Sequence, residues 1–175
     1  MDILKNIKRY VLMFTIYLPI NIKQLLKKTP EKKETVKYNC TYLPERKTDG
    51  SVGYDLKANL TGNFETWMAF ETKQVPTGLK IEIPKGKCGL VFLRSSLALY
   101  SPFMLANGVG VIDSDYRGEI KLLIRNTSSK RCIINKNDRI AQLVIIDCFT
   151  PELVKAKFLT ETVRNEGGFG STGWK

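Results

Sequence analysis

From Val36 onward the chain is a succession of short runs rich in Val, Ile, Leu and Tyr: "TVKYNCTYL", "GYDLKANL", "KQVPTGLKIEI", "CGLVFLRSS", "GEIKLLIRN", "KRCIIN" and "RIAQLVIIDCF". Clusters of Gly, Pro, Asn and Asp separate them at roughly the 8 to 12 residue spacing of a β-sandwich or jelly roll. No run between them carries a convincing 3.6-residue apolar period, so the expectation is an all-β domain. A sandwich of this size has little interior to spare for a closed catalytic pocket. Any site is therefore expected on loops or between subunits.

The first segment has a different texture. Its apolar run Tyr10 to Ile20 is flanked by Lys5, Lys8 and Arg9 before and by Lys23, Lys27 and Lys28 after. Eleven residues fall short of the about 20 needed to cross a bilayer. They match a signal h-region in length, but no small-x-small cleavage site follows and Pro19 interrupts a helix. An interfacial or organelle-targeting arm and a dispensable extension both remain open readings. Of the net charge of +11, residues 1 to 37 carry +6, from nine Lys/Arg against three Asp/Glu. A basic excess attracts polyanions without choosing among nucleic acid, acidic lipid and phosphate. The chain divides accordingly into an extension and linker at 1–35, a β core at 36–160 and a glycine-rich arm at 161–175.

The sequence contains no histidine. Ser-His, Cys-His and His-metal arrangements are thereby excluded, and acid-base chemistry falls to a carboxylate, a Lys or a shifted Cys. Cys40, Cys88, Cys132 and Cys148 form no C-x-x-C pair. They read as reduced thiols of an intracellular protein rather than as a zinc site.

Two further stretches stand out. In "NGVGVIDSDYRGEIKL", residues 107–122, Asp113, Asp115 and Gly118 partly imitate an EF-hand loop, but Arg117 and Ile124 occupy the fifth and twelfth positions, where calcium needs ligands. The plain reading is a hairpin, "VGVI" and "EIKLLI" joined by "DSDYRG". The C-terminal "GGFGSTGWK" contains G-x-G-x-x-G, yet only Trp174 and Lys175 follow Gly173. A dinucleotide fingerprint must open a helix, which is not expected here, and a P-loop needs Lys directly after its last glycine and then Ser or Thr.

Five segments taken in order resemble the five motifs of the trimeric dUTPases: "VGYDL" from Val52, "RSSLA" from Arg94, "NGVGVIDSDYRGEI" from Asn107, "DRIAQL" from Asp138 and "RNEGGFGSTG" from Arg164. The resemblance covers about residues 36 to 175. It implies a distorted β jelly roll of the β-clip type, assembled as a homotrimer, with the non-core basic extension appended. It further implies Mg²⁺-dependent hydrolysis of dUTP to dUMP and pyrophosphate, which limits uracil in DNA and supplies dUMP for dTTP synthesis. An intracellular, cytoplasmic or nuclear, enzyme with no stable nucleic-acid partner is expected, organelle targeting or membrane contact by the extension being left open.

The resemblance also assigns roles. Uracil would lie against the main chain of Gly110, Val111 and Ile112 near Asn107, with Tyr116 under the deoxyribose and Asp113 as base for the water attacking the α-phosphorus. Arg94, Ser95 and Ser96 would approach the α and β phosphates. Lys121 would be a further contact, and Asp55 and Gln142 would hold waters around Mg²⁺. In the arm, Arg164 would clamp the γ-phosphate, Phe169 would cover uracil, and Gly170, Ser171 and Thr172 would donate to phosphate oxygens. A glycine-rich arm suits this, since close approach to phosphate requires missing side chains.

Two positions depart from the family pattern. Leu93 stands where Pro is common before the Arg-Ser pair, and Asn165 where Gly follows the arm's Arg; Asn tolerates left-handed backbone better than most residues. The rival dCTP deaminase reading needs a glutamate where this chain has Leu123. A binding protein without activity is the other alternative, and the intact Asp113, Arg164 and Phe169 argue against it.

Overall fold

The computed structural model describes residues 34–169 together with Ser171 and Gly173. The expectations for residues 1–33, and those for Gly170 and Thr172, lie outside the described residues. The compact unit that carries the strands begins at Lys37.

Eleven strands and one short helix follow one another: β1 (Lys37–Cys40), β2 (Tyr54–Lys57), β3 (Phe64–Trp67), β4 (Thr72–Pro76), β5 (Leu79–Glu82), β6 (Lys87–Leu93), α1 (Ser95–Tyr100), β7 (Phe103–Leu105), β8 (Gly110–Ile112), β9 (Lys121–Asn126), β10 (Cys132–Asn135) and β11 (Arg139–Asp147). They pair into a four-stranded sheet β2-β11-β6-β8, a three-stranded sheet β4-β9-β7, and the two-stranded pairs β1-β5 and β10-β3. Every pairing is antiparallel. The all-β jelly-roll expectation holds, with α1 as the sole helix among the described residues.

The core follows from strand alternation. In β5, Leu79 and Ile81 are buried while Lys80 and Glu82 face out, and in β9 Leu122, Ile124 and Asn126 turn inward. Trp67 and Phe103 meet edge to face with ring centroids 5.2 Å apart. The buried indole keeps its polar atom satisfied by donating to the Ile124 carbonyl at 3.0 Å. Asn126, fully buried, donates through its amide to Met68 O and Lys130 O and accepts from the Ser128 backbone N–H. The buried amide thus closes the turn ahead of β10 and leaves no polar atom stranded.

Two readings of local structure need correction. The run "KQVPTGLKIEI" is two strands in different sheets, broken at Gly78, whose φ of 69° is left-handed and whose added Cβ would come within 2.7 Å of Thr41 Oγ1. More consequentially, "VGVI" and "EIKLLI" are not ladder partners. β8 pairs with β6, and β9 pairs with β4 and β7. The two arms of the supposed hairpin belong to different sheets, β8 lying at the edge beside β6 and β9 between β4 and β7. The chain between them spans a gap, and that gap is a cleft.

Candidate active site

The cleft between β8, β9 and the connecting loop has a volume of about 670 Å³. It is lined by Asn107, Gly110, Val111, Ile112, Asp113, Tyr116 and Lys121, all singled out from sequence, and floored in part by Leu123 and Gln74. The loop is braced from within. Arg117 Nη1 donates to Ser114 O at 2.7 Å and to Tyr116 O at 3.0 Å, and the Tyr116 hydroxyl donates to Glu119 O at 3.0 Å. Glu119 in turn accepts from the Gly78 backbone N–H at 2.7 Å, which ties the loop to the turn between β4 and β5. Gly118 provides the seat for the Tyr116 ring, since a Cβ there would stand 2.3 Å from its hydroxyl oxygen.

Asp113 lies at the end of β8 on the rim of this cleft. Its carboxylate is exposed and has no hydrogen bond or ion pair among the described residues. Because Ile112 faces Gly89 in the ladder, Asp113 sits by Cys88 at the start of β6. Burial, the neighbouring Cys148 thiol and the Asp113 charge together push the Cys88 thiol above its ordinary range. Cys88 is thus held protonated and does not compete as a nucleophile.

A second cleft of about 360 Å³ collects Asp55, Arg94, Ser95 and Gln142, beside Lys47 and Gly53. These come from three separate sequence segments, brought together because β11 pairs with β2 on one side and β6 on the other. Asp55, with its side chain 11% exposed, accepts from Arg94 Nε and from Arg139 Nη1, each at 2.9 Å. Gly53 leaves room for Gln142, whose Oε1 would lie 2.7 Å from an added Cβ.

The structure does not bring every candidate to these clefts. Ser96 is exposed on α1 and lines neither, and the "RSSLA" turn is the start of that helix. Beyond Asp147 the described residues form no helix or strand, and Phe149, Leu153, Val154, Phe158, Leu159 and Val163 are exposed. In the arm, Arg164 Nε donates to Gly167 O at 2.8 Å, and Asn165 adopts a φ of 41°, the left-handed turn foreseen for it. Arg164, Phe169 and Ser171 line neither cleft of their own chain. Sequence reasoning passed over Gly53, Gly118 and Arg139. All three stand inside the quoted motifs, but the signal that marks them is the contact each makes with a residue distant in the fold or across a loop.

The two clefts lie at opposite ends of β6. Asp113 neighbours Cys88, whereas Arg94 directly follows Leu93 at the other end. Six residues of extended chain separate Cys88 from Arg94, roughly 20 Å.

One cleft of this β-fold thus carries Asn107, Asp113 and Tyr116, and the other Lys47, Asp55, Arg94 and Gln142. The chain belongs to the dUTPase family, whose profile matches residues 40–173. It is 47% identical over 132 residues to the deoxyuridine 5'-triphosphate nucleotidohydrolase of Desulfitobacterium hafniense, covering 75% of this chain and 87% of that protein. The enzyme of the same name from a Hydrogenobaculum species is 44% identical over 133 residues, covering 76% and 91%. Among solved structures, the dUTPase of Staphylococcus bacteriophage 80alpha with dUPNHPP superimposes with a TM-score of 0.73 at 26% identity, over 80% of this chain and 99% of that one.

Proposed function

We infer that the protein hydrolyses dUTP to dUMP and pyrophosphate, with Asp113 as the base. The observation that carries this reading is the unpaired Asp113 carboxylate on the rim of a cleft lined by β8. Main-chain N–H and C=O groups of Gly110 to Ile112, with the Asn107 amide, offer a donor for a 4-oxo group and an acceptor for N3–H. Cytosine inverts both, and a mismatch of buried polar groups discriminates by about 10⁴ to 10⁵. Tyr116 stacks under deoxyribose, where a 2′-hydroxyl meets the ring. Leu123 supplies no acid where deamination requires one, which favours hydrolysis.

A water held by Asp113 passes its proton to the carboxylate as its oxygen bonds to the α-phosphorus. The bond to the bridging oxygen breaks, and pyrophosphate leaves with the electron pair. Aspartate needs no unusual environment for this, since carboxylates are ionised at neutral pH. Arg94 and Ser95 stabilise charge on the α and β oxygens, with Ser96 and Lys121 as further contacts. From the arm, Arg164 forks onto the γ-phosphate, Phe169 stacks on uracil for about 1 to 3 kcal/mol, and Gly170, Ser171 and Thr172 donate to phosphate.

Magnesium fits this donor set only through water. Both Asp55 oxygens already accept from arginine, but a carboxylate keeps further lone pairs, and Mg²⁺ retains several waters beside few protein groups. Asp55 and Gln142 would anchor those waters, and the ion when bound neutralises charge along the triphosphate. The structure of a phage phi11 dUTPase is described with a structural Mg(II) ion.

The division of the site supports a homotrimer. Ser95 and Asp113 must both approach the α-phosphate, yet they lie roughly 20 Å apart in one chain by the length of β6. A neighbouring subunit supplies the missing half, and the exposed apolar residues from Phe149 to Val163 suit an arm that lies on another copy. Size-exclusion with light scattering is expected to give a trimer, and a monomer turning over dUTP at full rate would overturn the composite site. Asp113→Asn should keep dUPNHPP binding while losing hydrolysis by several orders of magnitude; parallel loss of both would reassign Asp113 to structure. The role expected of such an activity is to keep uracil out of DNA and to supply dUMP for dTTP synthesis.

A further inference from the structure

We propose that Arg139 is a positioning residue of the triphosphate cleft, placed there by a β-bulge, and that it acts by fixing Asp55 and through it Arg94. The inference rests on the dUTP reading above and adds a residue that reading does not use.

On β11, Gln142 faces Asp55 and Ala141 faces Leu56, so regular alternation would set Ile140 opposite Lys57 and turn Arg139 toward the face of Ala141 and Leu143, which is the buried one. Instead the register shifts between Arg139 and Ala141, and Arg139 itself faces Lys57. Two residues of β11 are fitted against one step of β2, which is a bulge, and bulges re-aim side chains beside functional sites. Here Ile140 stays in the core, fully buried, and Arg139 comes round to the face that carries Asp55 and Gln142.

The same irregularity builds the seat of Arg94. Its backbone N–H donates to Ile140 O at 3.1 Å, its Nη1 to Arg139 O at 3.3 Å, and its Nε to Asp55 Oδ1 at 2.9 Å. Two of those three acceptors are carbonyls of the bulge. The third, Asp55, is held from its far side by Arg139 Nη1 at 2.9 Å. Two guanidinium groups therefore share one carboxylate, and the cluster has a net charge of +1 in a cleft that takes a polyanion. Without Arg139, Asp55 is free to turn and to pair with Arg94 through both oxygens, which would draw that guanidinium away from phosphate.

The test compares ligands that differ in phosphate number. dUPNHPP carries the full triphosphate, whereas deoxyuridine carries base and sugar and no phosphate. Calorimetry with the assembled wild-type protein should show binding of both, and its failure to bind dUPNHPP would fault the dUTP reading rather than this one. In Arg139→Gln, dUPNHPP affinity is expected to fall about tenfold, the scale of one charge-assisted hydrogen bond lost, with deoxyuridine affinity unchanged. The KM for dUTP should rise with it, and Arg139→Lys, which restores charge and one donor, should recover part of the loss. Asp55→Asn probes the other end of the ion pair, because the amide nitrogen that replaces one carboxylate oxygen cannot accept from the arginine facing it. It is expected to show the same selective loss. Equal weakening of dUPNHPP and deoxyuridine, or no change in either, in Arg139→Gln would overturn the proposal. Should that variant not fold, unchanged dUPNHPP affinity in Asp55→Asn would do so.

Discussion

Gly118→Ala isolates what the loop contributes to the sugar site. Gly118 does not adopt a left-handed φ, so its backbone accommodates alanine without strain. The difficulty is the Tyr116 ring: the new Cβ would stand 2.3 Å from the hydroxyl oxygen, 2.5 Å from Cζ and 2.9 Å from Cε2. Ordinary contact begins at 3.4 Å, so the ring must retreat by about 1 Å, as a half-exposed side chain with a movable end can. Stability should fall little, by about 0.5 to 1.5 kcal/mol for the Tyr116 to Glu119 hydrogen bond. Activity should fall more, because a 1 Å misplacement costs about 10²-fold in rate, near 2.7 kcal/mol. The assay is pyrophosphate release from dUTP and from UTP, beside thermal unfolding. The expected result is a near-native melting temperature, a kcat/KM for dUTP lower by about 10²-fold, and a smaller dUTP to UTP preference. Removing the hydroxyl as well, in Gly118→Ala with Tyr116→Phe, should rescue only in part, since Cζ remains too close. Unchanged kcat/KM and selectivity would refute the reasoning that the ring's seat sets the sugar site.

Gly53→Ala should displace Gln142, whose Oε1 would lie 2.7 Å from the new Cβ; titration calorimetry is expected to show several-fold weaker dUPNHPP binding with dUMP affinity retained. The ion pair of Lys73 and Glu65, 2.6 Å apart, should give a stability plateau bounded at both ends of the pH scale. The Lys73 hydrogen bond lowers the Glu65 carboxyl below its ordinary range, so its contribution is present above the unfolded value and is lost as pH falls through the folded one. The Glu65 hydrogen bond raises Lys73, whose contribution is present below the ordinary lysine range and lost as pH rises through the folded value. With Glu65 45% exposed, solvent screening reduces the effect to about 0.5 kcal/mol. Denaturant unfolding of Glu65→Gln should show that difference from wild type at neutral pH and none in strong acid.

The short apolar runs and their turn residues declared an all-β chain because alternation is a local property that the sequence displays directly. The chemistry was legible for the same reason: Asn107, Asp113 and Tyr116 reach one cleft within a single continuous segment. Pairing partners were not legible. Alternation states which face a residue takes but not which strand lies beside it, so β8 read as the partner of β9 when β6 holds it. The strands β3 and β7 were passed over since "FETW" and "FML" are short and each depends on a distant partner, β10 and β9. Arg139 was hidden by the bulge, because counting by twos from Gln142 places it in the core. Gly118 stood in the turn "DSDYRG" and Gly53 at the head of the run "GYDLKANL", and neither place shows the space it leaves for Tyr116 or Gln142.

Pyrophosphate release by the purified protein with Mg²⁺, offered dUTP, dCTP, dTTP and UTP in parallel, tests the proposed activity most directly. Release from dUTP alone is predicted from the proposed reading of the uracil edge by β8 and the proposed exclusion of the 2′-hydroxyl by Tyr116. Silence on all four substrates from a folded, trimeric protein would contradict the assignment of Asp113 as base, and comparable release from UTP would contradict the role given to Tyr116.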